Sequence, residues 1–300
     1  MTEPALSIVI PTRNRCEVLR LTLVALGNQE GVTGDFEVIV ADDGSTDDTQ
    51  MTVQSGHYSY DLRALSLDSG GPARARNAAI RQARAGRILL LGDDMIPAPG
   101  NLKIHIAASG EREGAVQGAI EWDPEIGITD VMRFLAPEGP QFWFKGLEDG
   151  APVPWTSIVS SNLSAPTHWF VEEPFDEEFT EACVEDTELA WRWARRGWPT
   201  VFNRSALSLH HHRYDDIETF LDRQRRAGTW TRTVIAKHPK LIARLGVLPI
   251  VKAVFRELQF STGLSRKIDR EHIHWELGVQ RSFLRGLFGR QTRGKPDASG

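Results

Sequence analysis

The sequence predicts an α/β fold, with a mostly parallel sheet flanked by helices and a helical extension at its C-terminal end. Three observations carry this. Short runs rich in β-branched residues alternate with stretches whose apolar residues recur at helical spacing, acidic pairs directly follow two of those runs, and after His212 only the helical pattern continues.

The first run, Leu6 to Ile10, stops at Pro11 and reads as a strand buried on both faces. Asn14 to Gln29 then places Val18, Leu19, Leu23 and Leu26 at helical spacing, with Asn14 as the N-cap. A second strand, Phe36 to Ala41, runs into Asp42, Asp43, Gly44 and Ser45, and a polar helix starts at Thr46 to Gln50. Arg63 to Leu67 is a third short strand, and Gly70 and Gly71 open an Ala- and Arg-rich helix to Ala85. The most hydrophobic strand, Ile88 to Leu91, ends in Gly92, Asp93 and Asp94. From about Gln117 to Thr200 the pattern is less regular, except that Glu185 to Arg196 has helical spacing and stops at Gly197. Ala206 to Leu209 is a short strand-like stretch before His210, His211 and His212. Ile217 to Ala236 and Leu241 to Leu258 are amphipathic helices, and the last twenty residues are basic and rich in Gly, which sets a boundary near Tyr214.

Composition narrows the classes. With 300 residues, 41% hydrophobic and 25% charged, the whole chain is neither disordered, collagenous nor a coiled coil. A formal charge of -5 argues against general affinity for nucleic acid. Cys16 and Cys183 match neither a disulfide framework nor a zinc pattern, so a reduced, cytoplasmic setting is expected. The stretch from Met1 carries Glu3, lacks a basic start and breaks at Pro11, so no signal peptide is expected. The apolar run Leu245 to Phe255 is interrupted by Pro249 and Lys252 and falls short of the ~20 residues that span a bilayer.

Ligands of open parallel sheets bind beyond the carboxyl ends of the strands, where both acidic pairs lie. Asp42 and Asp43 suit either the donors of a base or ribose, or an Asx turn and helix cap. Asp93 and Asp94 are adjacent carboxylates, which repel unless a cation sits beside them, and such oxygen ligands suit Mg²⁺ or Mn²⁺; a plain surface pair is the alternative. Strand alternation directs His210 and His212 to one face and His211 to the other, where imidazoles either complete a metal site, favouring Mn²⁺ over Ca²⁺, or are ordinary histidines. Glu185 and Asp186 open a helix and serve either its dipole or proton transfer, Asp186 taking a substrate proton while Glu185 binds the acceptor or tunes the base. Arg74 and Arg76 stand at a Gly-rich helix entry that favours anions, or form a solvated basic face. Trp143, within QFWFKG, is the tryptophan singled out for stacking on a sugar ring.

Taken in order, SIVIPTRNR, VIVADDGSTDDT, GGPARARNAA, LLLGDDMIP, SSNLSAP, FDEEF, EDTELAWRWARRG and the His cluster span roughly residues 6 to 213 and resemble family 2 glycosyltransferases of the GT-A fold. The resemblance implies an enzyme, of bacterial carbohydrate biosynthesis and hexosyltransferase-like, that moves a sugar with inversion. The donor would be a nucleoside diphosphate sugar, a UDP-sugar first, and the acceptor a carbohydrate or small-molecule hydroxyl. It implies a catalytic domain over 1–214, with donor binding in about 1–115 and acceptor binding in about 116–214, and an extension over 215–300. By the same resemblance Pro11, Thr12 and Arg13 line the nucleoside pocket, Asp42 contacts the base, Asp43 shapes the turn with Gly44, and Arg76 approaches the base or diphosphate. Asp93 lies beside the ribose and donor sugar. Asp94, the final acid of the DxD motif, binds Mn²⁺ or Mg²⁺ with His210, or with His212 in its place; Asp186 is the general base beside Glu185, and Arg213 adds charge for the leaving diphosphate.

Gly92 departs from the pattern, standing where many relatives carry the first DxD acid. Acceptor selectivity is expected in SSNLS, QFWFKG and the acidic run Glu172 to Glu181. The C-terminal helices and tail, with Arg281, Arg285, Arg290, Arg293 and Lys295, pack on the core, form a homodimer or touch the inner face of a membrane. Two other readings compete. A metal-dependent nucleotidyltransferase would carry a Gly-rich loop where PTRNR stands, and a catalytically degenerate sugar- or nucleotide-binding scaffold is favoured only by Gly92. Neither a dinucleotide-binding GxGxxG after a strand nor a P-loop occurs.

Overall fold

A computed structural model describes residues 3–32, 36–111, 114–137, 139–142, 144, 146–251, 254 and 270–289. Trp143, Arg290, Arg293, Lys295 and the end of the 241–258 helix lie outside the described residues. The chain forms two compact units, which meet in sequence at Arg213 and Tyr214.

In the first unit β1 (Leu6–Thr12), β2 (Phe36–Asp42) and β4 (Arg87–Leu91) are buried almost throughout, as unbroken apolar runs require of central strands. β1 pairs in parallel with both others, and β2 pairs with the half-exposed edge strand β3 (Asp61–Ser66). Parallel neighbours need crossovers, supplied by α1 (Cys16–Gly27), α2 (Thr49–Ser55) and α3 (Pro72–Ile80). Then follow β5 (Met95–Pro97), α4 (Asn101–Glu111), β6 (Ala115–Trp122), α5 (Asp130–Leu135), β7 (Asn162–Pro166), α6 (Thr167–Glu172), α7 (Glu185–Arg196) and β8 (Thr200–His210). The eight strands make one sheet of order β3-β2-β1-β4-β7-β6-β8-β5. β7 runs antiparallel to β4 and β6, and β5 to β8, while β6 and β8 are parallel neighbours, so the sheet is mixed, with an all-parallel block of β1 to β4 in the first 91 residues.

Two helix boundaries differ from expectation for identifiable reasons. α1 starts at Cys16, and Asn14 does not cap it: Asn14 has φ 52°, a region Asn tolerates, and its Oδ1 accepts from the Thr46 amide at 2.7 Å. Asn14 thereby ties the β1 loop to the β2 loop. α3 stops at Ile80 rather than Ala85 because the amides of Arg84 and Ala85 are taken by Glu37 Oε1 (2.8 Å) and Ser7 Oγ (3.0 Å). Burial of Glu37 opposes its ionisation, yet hydrogen bonds from Ser7 and Arg84 and the Arg63 charge hold its carboxyl below the usual range. α7 has the predicted bounds and ends at Gly197 in the left-handed region, φ 74°.

A polar network fixes the mixed half of the sheet, β6, β7 and β8. His105 of α4 is fully buried, with Nε2 3.1 Å from Asn162 Oδ1 and Nδ1 2.9 Å from Ser164 Oγ. Burial pushes its pKa down to about 4 and so keeps it neutral. Asn162 Nδ2 donates across to the carbonyls of Ala119 and Ala206. Only glycine fits at 118, where a Cβ would meet Asn162 Nδ2 at 2.2 Å.

In the second unit α8 (Glu218–Lys237) packs on α9 (Arg270–Phe288) with backbones in close approach: a Cβ at Gly286 would lie 1.8 Å from the Arg225 carbonyl oxygen. The predicted helix from Leu241 follows a short 3₁₀ turn, Pro239–Leu241, and begins as a π-helix, Ile242–Val247. Ile242, Val247, Leu248, Val251 and Val254 are exposed. Charge divides between the units: residues 1–213 carry 18 Lys and Arg against 31 Asp and Glu, whereas residues 214–300 carry 17 against 9. Among the described residues no helix is long and apolar enough to cross a membrane.

Candidate active site

The site gathers where β1, β2 and β4 end. Asp93 and Asp94 follow β4 and are mostly buried. Thr12, the last residue of β1, donates through Oγ1 to Asp93 Oδ2 at 2.8 Å, and Thr22 of α1 donates to the Asp93 carbonyl at 2.7 Å. Arg15 spans both acids, with Nε 3.2 Å from Asp93 Oδ1 and one terminal nitrogen 2.7 Å from Asp94 Oδ2.

β8 delivers the histidines. Met95 of β5 stands opposite His210 in the antiparallel register, and the His211 amide donates to the Asp94 carbonyl at 2.8 Å. His210 Nε2 then lies 3.2 Å from Asp94 Oδ2, and the ring stacks between Trp122 and His212, at 5.3 and 5.5 Å. Ligand atoms of Asp94, His210 and His212 lie within 4.8 Å of one another. Period-two alternation sends His211 the other way, to Asp123 at 2.7 Å. Burial and the Asp94 charge push the Asp93 pKa up; Asp94 is pulled down despite its burial, by His210 and then Arg15. One carboxylate with two imidazoles is a donor set that fits Mn²⁺ and related divalent ions better than Ca²⁺.

Gly92 has a steric reason. A Cβ there would stand 3.1 Å from both Asp94 Oδ1 and Met95 Cγ, so a side chain would crowd the Asp94 carboxylate. The Gly92 amide donates to the Ser161 carbonyl at 3.1 Å. The neighbouring Ser160 amide points to Asp186, 3.4 Å from its Oδ2. One dipeptide before β7 therefore touches both the acidic loop and the first turn of α7.

Asp186 also accepts from the Thr187 amide at 2.7 Å. Burial and the adjacent Glu185 push its pKa up to about 6, against the pull of Arg76. Glu185 is held by Arg76 at 2.8 Å and by the Cys183 amide at 2.8 Å. Arg76 is buried in that ion pair and lies over the Phe175 ring at 5.2 Å, while its buried Nε has no hydrogen-bond partner.

The β2 pair is arranged differently. Both oxygens of Asp43 accept backbone amides, from Gly70 at 2.7 Å and Gly71 at 2.9 Å. Asp42 Oδ1 accepts from Ser45 at 2.9 Å, while its buried Oδ2 has no hydrogen-bond partner. Pro11 lies opposite Ala41 in the register, and the exposed Arg13 donates to Ser69 Oγ at 2.7 Å.

Other expected contributors are engaged within the protein. Arg74 donates to the Asp68 carbonyl, and Arg213 to those of Ile126 and Gly127. In the acidic run, Glu173 binds Arg192 and Arg196, Glu172 binds Arg196, and Glu177 accepts from Asn77, so these acids brace α3, α6 and α7. Arg15, Thr22 and Ser160 were not foreseen as site residues. Arg15 and Ser160 lie inside quoted motifs, whereas nothing in the local sequence marks Thr22, whose partner is 71 positions away.

Comparison with known proteins fits this geometry. The profile of glycosyl transferase family 2 matches residues 7–138. Validoxylamine A glucosyltransferase of Streptomyces hygroscopicus subsp. jinggangensis is 29% identical over 233 residues, covering 69% of this chain and 55% of that protein. Chondroitin synthase of Escherichia coli is 38% identical over 236 residues, covering 68% of this chain and 34% of that protein. The chain thus spans about half or less of the length of these two relatives. Among solved structures, mannosyltransferase PcManGT of Pyrobaculum calidifontis, in complex with GDP-Man and Mn²⁺, superposes with a TM-score of 0.67 at 15% identity, covering 97% of this chain and 89% of that one. TarS 1-349 of S. aureus with UDP-GlcNAc gives a TM-score of 0.53 at 20% identity, covering 94% and 81%. Over residues 7–138 the chain matches the profile of glycosyl transferase family 2, its relatives are glycosyltransferases, and its architecture is that of the GT-A fold.

Proposed function

We propose that the protein is an inverting glycosyltransferase that moves a sugar from a nucleoside diphosphate donor to an acceptor hydroxyl. The observation that carries this is the Ser160–Ser161 dipeptide, which places a carboxylate of raised pKa beside the acidic loop of a divalent-ion set. Asp94, His210 and His212 would hold Mn²⁺ or Mg²⁺, and a cation there supplies charge stabilisation to the departing diphosphate.

This chain's own residues do the rest. Asp42 Oδ2, a buried acceptor without a partner, suits a donor group of the base or ribose, with Pro11, Thr12 and Arg13 around the same strand ends. Asp186 takes the proton of the acceptor hydroxyl as its oxygen bonds to the anomeric carbon and the bond from that carbon to the phosphate oxygen breaks on the opposite face. One displacement inverts the centre. A pKa near 6 leaves Asp186 mostly ionised at neutral pH yet more basic than an ordinary carboxylate. Arg76 and Glu185 position it.

A UDP-sugar is the first donor to test, with GDP-, TDP- and CDP-sugars beside it, and residues 116–214 are the acceptor half. The excess of basic residues after Arg213 and the exposed apolar side chains from Ile242 to Val254 suit an anionic membrane surface better than a second equally basic copy. Asp186→Asn is expected to lower transfer by about 10²- to 10⁴-fold while nucleotide binding, followed by melting-temperature shifts with Mn²⁺, stays nearly intact. Normal turnover by this variant would remove Asp186 as the base.

A further inference from the structure

Arg15 has no part in the mechanism above, yet it makes the shortest charged contact in the acidic loop. Its guanidinium forks over two adjacent carboxylates, 3.2 Å from Asp93 Oδ1 and 2.7 Å from Asp94 Oδ2. The acids are mostly buried, whereas the arginine side chain is 36% exposed and enters from the solvent side. Asp94 Oδ2 is also the oxygen that faces His210 Nε2 at 3.2 Å. The atom best placed to ligate a divalent ion is therefore already shared with a cation of the chain itself.

Two consequences follow from elementary electrostatics. A guanidinium and a divalent ion compete for the same oxygen lone pairs and repel each other at contact distance. Gly92 contributes no carboxylate to offset that repulsion. A nucleoside diphosphate changes the balance, because its phosphate oxygens accept from a guanidinium fork as well as a carboxylate does and bring the missing negative charge.

Resting on the donor and metal reading above, we propose that Arg15 is a built-in counter-cation that holds the divalent-ion set against the bare ion and transfers to the diphosphate when ion and nucleotide arrive together. Metal and nucleotide then bind as a strongly coupled pair. Arg15 is a positioning residue in this scheme: it exchanges an intramolecular carboxylate for a ligand oxygen, and no covalent bond changes.

The experiment is Mn²⁺ titration of the full chain, read as the loss of the free-ion electron paramagnetic resonance signal, alone and with saturating UDP or GDP. Wild type is expected to bind Mn²⁺ weakly alone and at least about tenfold more tightly with one of the nucleotides. Arg15→Gln is expected to bind Mn²⁺ alone about tenfold more tightly than wild type and to lose most of the nucleotide-induced gain; Arg15→Lys, which keeps the charge but not the fork, falls between them. Equal or weaker binding of Mn²⁺ alone by Arg15→Gln overturns the proposal while leaving the donor reading intact, provided wild type still takes up Mn²⁺ with nucleotide. Failure of wild type to bind Mn²⁺ under any of these conditions overturns both. Should Arg15→Gln not fold, as judged by circular dichroism in EDTA, the Arg15→Lys titration decides by the same criterion.

Discussion

Two acidic pairs follow two strands that flank β1, and the fold treats them in opposite ways. At the end of β2, Asp43 is satisfied wholly by backbone amides and Asp42 in part by another. At the end of β4, Asp93 and Asp94 are answered mainly by side chains: a hydroxyl, a guanidinium and an imidazole. Backbone amides are fixed by the chain path, so Asp43 is bound into the scaffold and Asp42 keeps one oxygen open. Side chains turn aside for a ligand, so the second pair is exchangeable. Motifs that look alike in sequence separate by the kind of donor that answers them.

The comparison is sharpest if each pair is broken in turn. Asp94→Ala is expected to lower Mn²⁺-dependent nucleotide affinity by at least about 100-fold, measured by calorimetry, because it removes the carboxylate of the proposed divalent-ion set. Its melting temperature in EDTA should stay close to wild type, since Arg15 keeps Asp93 as a partner. The reverse is expected of Asp43→Ala: two amides lose their acceptors, at a cost of about 2–4 kcal/mol in chemical denaturation. A destabilised Asp94→Ala or an undisturbed Asp43→Ala would erase the distinction.

A smaller effect tests Asp186, whose surroundings mix the two modes. Its raised pKa predicts that kcat/KM falls as pH drops through about 6, by roughly tenfold per further unit. For stability the sign is opposite. An acid whose folded pKa is raised takes up its proton in the folded state first, so this group's contribution grows as pH falls from about 6 towards the unfolded value of 3.8. Activity lost with the melting temperature maintained would fit protonation of the base; a flat profile across pH 5 to 7 would break the assignment.

The same contrast between local and distant partners explains what was legible in the sequence. Strands at Leu6, Phe36 and Ile88 were readable because strands buried on both faces must be continuous apolar runs. The pairing of His210 with His212 was readable because alternation along a strand is a local rule. β6 and β7 were not, because they bury Gln117, Asn162 and Ser164, polar residues whose partners lie on other elements. Arg76 stands at a helix entry that suggested an anion, but its partner within the chain, Glu185, lies 109 positions onward and was not legible. The end of α3 was likewise set from outside, by acceptors on β1 and β2.

The Ser160–Ser161 dipeptide gives the site a common datum. Because one short stretch of backbone meets Gly92 on one side and Asp186 on the other, a small displacement of either neighbour is passed to its counterpart instead of opening a gap between them. The spacing between the acidic loop and the first turn of α7 is thereby set over a few bonds.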